Sequence, residues 1–89
     1  MEICFSARFK RAYKKLPEHI QENFDAKIRL FIESPSHPQL RVHMLRGKLH
    51  ECLSFSLRDG YRVLFDITDR HIVRLLDVGN HDSYAHWGK

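Results

Sequence analysis

Leu53-Ser54-Phe55-Ser56-Leu57-Arg58-Asp59-Gly60-Tyr61-Arg62-Val63-Leu64-Phe65 is the stretch on which the fold turns. Leu53, Phe55 and Leu57 alternate with Ser54, Ser56 and Arg58, the period of a strand with one covered face and one polar face. Asp59-Gly60 then supplies the positive φ of a tight hairpin, since glycine has no Cβ to clash. An apolar run returns from Tyr61, with Tyr61 and Phe65 expected as core or strand-pair residues. Two antiparallel strands are therefore expected over 49–57 and 61–68. A third, over 72–78, follows the turn Asp69-Arg70-His71 and completes a meander.

Towards the N-terminus, residues 1–5 read as a short strand. Ser6 can cap a helix that runs through Arg8, Phe9, Ala12, Tyr13 and Leu16 and turns Lys10, Arg11, Lys14 and Lys15 outward. Pro17 ends that helix and suits the first turn of the next. Ile20, Phe24, Ile28, Phe31 and Ile32 recur at helical spacing as one apolar stripe, and Ser34-Pro35 stops it. A polar turn covers 36–39, and extended structure resumes from Leu40. The expected fold is α+β: an N-terminal strand, a two-helix hairpin, then a three-stranded antiparallel meander. One sheet results, with the helices on one face.

The chain has 89 residues, enough for one hydrophobic core, so residues 1–89 are expected to form a single domain. Fifteen basic residues against eleven acidic ones give a net charge of +4, which favours polyanions as partners. Cys4 and Cys52 fall in expected strands without framework spacing, so both read as buried, reduced thiols. No apolar run reaches the roughly 18 residues of a membrane span, and MEICFSARF lacks the apolar core of a signal peptide. A soluble cytoplasmic protein without membrane association is expected. No HExxH or Cys/His ligand spacing occurs, so neither a metal nor another cofactor is expected.

The polar face of the meander is where chemistry is sought. Ser54, Ser56, Arg58 and Arg62 share it by alternation. His43, Arg46 and Lys48 precede the meander, and His81 and Tyr84 follow it. Cleavage of RNA by its own 2′-hydroxyl needs a base for that hydroxyl, a cation for the developing phosphorane charge and an acid for the leaving 5′-oxygen. Histidine as a residue type serves as base or acid. Arginine offers bidentate contacts to phosphate, and tyrosine stacks on a base or donates a proton. A strand arginine is as often a solvated or ion-paired residue, and His19, His37 and His71 read as surface residues.

Three strings carry a resemblance: Leu45-Arg46-Gly47, then residues 54–65 as quoted above, then Leu76-Asp77-Val78-Gly79-Asn80-His81-Asp82-Ser83-Tyr84. In order and spacing they resemble the RelE/ParE superfamily of bacterial type II toxins. The histidine-bearing tail is most similar to the YafQ-like mRNA interferases. The resemblance implies a metal-independent endoribonuclease that cuts mRNA, often on the ribosome, and is held in check by a cognate antitoxin. Operator DNA would be reached only through that antitoxin. Position by position, it implies that Arg62 binds the scissile phosphate, His81 is the acid, Tyr84 stacks on the substrate base, and His43 is the candidate base. Arg46, Lys48 and Arg58 would then contact RNA. Ser54 and Ser56 stand where relatives carry lysines or a second histidine. That departure keeps two alternatives open: a ParE-like toxin directed at DNA gyrase, and an inert relative that only binds an antitoxin.

Overall fold

The computed structural model describes residues 2–44, 52–69, 72–84 and 87. Five strands form one mixed sheet in the order β1-β5-β4-β3-β2: β1 Glu2–Phe5, β2 His43–Met44, β3 Leu53–Ser56, β4 Arg62–Asp69 and β5 Ile72–Gly79. The meander β3-β4-β5 is antiparallel, and β1 lies parallel to β5 at the edge. Helices α1 Ala7–Lys14 and α2 Glu18–Glu33 cover one face of the sheet, and a single turn of helix, α3 His81–Tyr84, follows β5.

Local chemistry sets these boundaries. The Ser6 hydroxyl accepts a hydrogen bond from the Phe9 amide at 3.0 Å, which caps α1. Pro17 occupies the cap position of α2 rather than its first turn. Between β3 and β4, Asp59 at φ 55° and Gly60 at φ 77° close the hairpin as expected. The strand begins at Arg62, which leaves Tyr61 half-buried just outside it, whereas Phe65 is fully buried in the core. A polar 3-10 turn over Pro38–Leu40 is capped by His37, whose ring nitrogen accepts from the Gln39 amide at 3.1 Å.

The core lies between α2 and the meander. The Phe31 ring packs 5.3 Å from Phe55 and 5.1 Å from Phe65, and Phe9 lies 5.3 Å from Phe24 to join α1 to α2. Ile20, Leu40, Val63 and Leu75 complete it, all without solvent exposure. Burying such side chains contributes roughly 1.5–3 kcal/mol each.

Four expectations need correction. Ile32 is 49% exposed although Phe31 beside it is buried, because it lies a further turn of about 100° round the helix, at the margin of the stripe. Cys4 is exposed on the edge strand β1, while Cys52 is buried just before β3. The sheet gains β2, whose two residues are too few to show a period. Ser54, expected on an open polar face, is 0% exposed, and its cross-strand partner Leu64 is also buried. The centre of that face is therefore covered. The expected strand at 49–57 is seen from Leu53 to Ser56, and its residues 49–51 lie outside the described residues.

Candidate functional site

Sheet register decides which candidate residues meet. Arg62, the first residue of β4, stands opposite Ser56 on β3 and Gly79 on β5. The pairing with Gly79 depends on a bulge. Phe65 pairs with Leu75 but Leu64 pairs with Asp77, so Leu76 is an extra residue on β5. The bulge moves Val78 into the core opposite Val63, and it keeps Asp77 from following Val73 and Leu75 onto the core face. Ser6 fastens this point: its hydroxyl donates to the Leu76 carbonyl at 3.0 Å, and its amide donates to Leu75 at 3.0 Å.

His81 follows Gly79 by two residues, so Arg62 and His81 come to the same end of the sheet. His81 is exposed and opens α3, whose start is fixed by the Asp82 amide donating to Asn80 Oδ1 at 3.1 Å. Arg62 is half-buried. Tyr84 closes α3. His43 stands opposite Ser54, on the edge strand β2. Two strand spacings and a two-residue offset put its backbone about 12 Å from that of Arg62. Arg58 is exposed in the hairpin, and its amide donates to Asn23 Oδ1 at 2.8 Å. Arg46 and Lys48 lie outside the described residues.

The sequence reading missed a second group beside this one. Asp77 is buried at the end of β5 beside α1, and its carboxylate takes two hydrogen bonds and one ion pair. Oδ1 accepts from the Val78 amide at 2.8 Å, and Oδ2 accepts from Trp87 Nε1 at 2.9 Å and faces Arg8 Nε at 3.2 Å. The cleft above it, about 540 Å³, is lined by Arg8, Arg11 and Lys15 of α1 together with Tyr61, Gly79 and Asn80. The i, i+3, i+7 spacing of the three cations was legible as one helix face; its proximity to the end of β5 was not. Two histidines read as plain surface residues also have structural partners: His37 in its cap, and His19, whose Nε2 lies 3.0 Å from Asp59 Oδ2. Among the described residues no three His, Cys, Asp or Glu side chains converge, and no helix is long and apolar enough to cross a membrane.

Residues 3–83 match the family described as ParE toxin of type II toxin-antitoxin system, parDE. The chain belongs to the ParE toxin family. Membership places it in the RelE/ParE superfamily, as a toxin of a type II system whose partner is an antitoxin. Solved structures agree with the fold. YafQ from E. coli superposes with a TM-score of 0.77 at 15% identity, over 92% of this chain and 94% of that one. A YoeB/ParE toxin from Agrobacterium tumefaciens gives 0.76 at 13% identity, over 91% and 99%. A chain of the intact E. coli RelBE toxin-antitoxin complex gives 0.68 at 27% identity, over 89% and 94%. A comparison with curated protein sequences gives no significant match. These structures carry YafQ, YoeB/ParE and RelBE names alike, so YafQ is not singled out among the ParE toxin's relatives.

Proposed function

We propose that this ParE-family toxin is a metal-independent mRNA endoribonuclease inhibited by its cognate antitoxin. The observation that carries the reading is the register pair Arg62–Gly79, which sets a strand arginine beside the turn that bears His81. In this reading the Arg62 guanidinium holds the scissile phosphate and stabilises the charge that develops on it. His43 takes the proton of the 2′-hydroxyl, the 2′-oxygen attacks phosphorus, and the P–O5′ bond breaks as His81 protonates the leaving oxygen. The products are a 2′,3′-cyclic phosphate and a 5′-hydroxyl. Tyr84 stacks on the base beside the cut, and Arg46, Lys48 and Arg58 hold flanking phosphates. Primer extension on cellular mRNA after expression of wild type, Arg62→Ala and His81→Ala tests it. Cleavage by wild type that both variants lose is expected; equal patterns in all three sink the assignment.

A second reading has its own support. Ser54 is buried with no solvent exposure, so no general base comes from that position, and the family match is to ParE toxins. In that reading the toxin acts on DNA gyrase. Inhibition of supercoiling by the purified protein, together with unaltered mRNA, selects it over the ribonuclease.

A further inference from the structure

We propose that the cleft between α1 and the end of β5 is a second phosphate-binding site, which takes the backbone of the RNA strand where it runs on from Arg62. The inference rests on the RNA-directed reading above and adds to it a named surface for the strand beyond the scissile bond.

Three observations carry it. The first is charge. Arg8, Arg11 and Lys15 line the cleft, against a single carboxylate, Asp77. Asp77 pairs with Arg8, while Arg11 and Lys15 have no acidic partner among the described residues. Two cations thus stay uncompensated in one concavity, where their fields add.

The second is exposure. The Asp77 carboxylate accepts from Val78 and Trp87, and its Oδ2 lies 3.2 Å from Arg8 Nε. The Arg8 side chain is 71% exposed beside this carboxylate, which leaves its guanidinium open to a ligand in the cleft. A fork of donors suits the paired oxygens of a phosphate.

The third is continuity. Gly79, the register partner of Arg62, is a wall of this cleft, and Asn80, the next wall residue, directly precedes His81. Arg62 itself does not line the cleft, so a strand held on Arg62 would reach α1 by passing the end of β5 over Gly79 and Asn80. Along α1 the cations rise by about 4.5 Å and then about 6 Å, the scale on which phosphates follow one another in an extended strand. Tyr61, half-buried in the cleft lining and packed against the core, offers the edge or face of a ring on which a base can rest. That ring and the shared wall favour a nucleic acid strand over an acidic protein segment.

The test is fluorescence anisotropy of the full-length toxin with uncleavable 2′-O-methyl RNA, in a short form of about three nucleotides and a long form of about nine. The proteins are wild type, Arg62→Gln and the double variant Arg11→Gln/Lys15→Gln. Arg11 and Lys15 are exposed, so the double variant should unfold at the wild-type temperature. It should bind the long probe about tenfold more weakly, with a salt slope shallower by about 1.4, and the short probe normally. Arg62→Gln should weaken both probes. Wild-type binding of the long probe by the double variant overturns the cleft. So does a loss seen only with a Glu-rich peptide, which would assign the surface to a protein partner. Should Arg62→Gln leave mRNA cleavage intact while the long-probe loss persists, the catalytic reading fails and the cleft stands.

Discussion

Asp77 sits two residues after Leu75 and four after Val73, so strict alternation would press its carboxylate into a phenylalanine core. The bulge at Leu76 removes that conflict, and two hydrogen bonds with the Arg8 ion pair then satisfy the buried group. Asp77→Ala removes the carboxylate that accepts from the Trp87 indole and the Val78 amide, and should cost about 1–3 kcal/mol; a urea unfolding midpoint unchanged from wild type would contradict this. Tyr13 gives a second prediction. Burial, then the hydrogen bond to Asp25 at 3.1 Å, then the charge of Asp25 all raise its phenol above the ordinary value of 10.0. A raised folded pKa contributes stability that is fully present below pH 10 and is lost as pH rises through the folded value. Ultraviolet titration should show one tyrosine ionising late, and Tyr13→Phe should flatten the alkaline loss of stability. A Tyr13→Phe protein with the same alkaline profile would reject the link. At this scale Arg62 and His81 were singled out by their place on and after the meander's polar face and by the resemblance, since a strand arginine by itself is as often solvated or ion-paired. The sequence could not show that Ser54 is buried, since alternation reports one strand's neighbours and not what crosses its other face.

Ser6 joins three elements: it ends β1, caps α1 and holds the bulge of β5 through the Leu76 carbonyl. Ser6→Ala loses two hydrogen bonds and should destabilise the fold by about 1–2 kcal/mol. Gly at the same position would recover part of the capping loss but none of the bulge contact. Denaturant titration of both variants checks the order, and a Ser6→Gly protein as stable as wild type would show that the bulge contact is worth nothing. The helices were legible because each has its stop and start written locally, in Ser6, Pro17 and Ser34-Pro35. The hairpin was legible for the same reason, in Asp59-Gly60. The parallel pairing of β1 with β5 was not, because it joins residues some 70 positions apart and leaves no local pattern. The bulge was hidden too: one added residue changes register without changing composition, and it is this register that brings Arg62 level with Gly79.

At the scale of the whole molecule, a domain of this size buries only about 60–65% of the surface its unfolded chain exposes, so the free toxin has a small margin of stability. Its net charge of +4 narrows that margin through self-repulsion, and the cations on α1 and in the hairpin concentrate it. The antitoxin is the remaining stabilising term. A partner that binds only the folded toxin adds RT ln(1 + [L]/Kd), about 2.7 kcal/mol when free antitoxin stands at 100 times its Kd. For a domain of this length each kcal/mol moves the midpoint by about 4–8 °C. Calorimetry of the complex should therefore place toxin unfolding more than about 10 °C above that of the free protein, with the midpoint still climbing as antitoxin is added beyond equivalence. Excess salt should shrink the shift if charge contributes to the contact. A midpoint that stops at equivalence would mean that the antitoxin holds the unfolded chain as well as the folded one, and that the toxin's stability does not depend on its inhibitor by mass action.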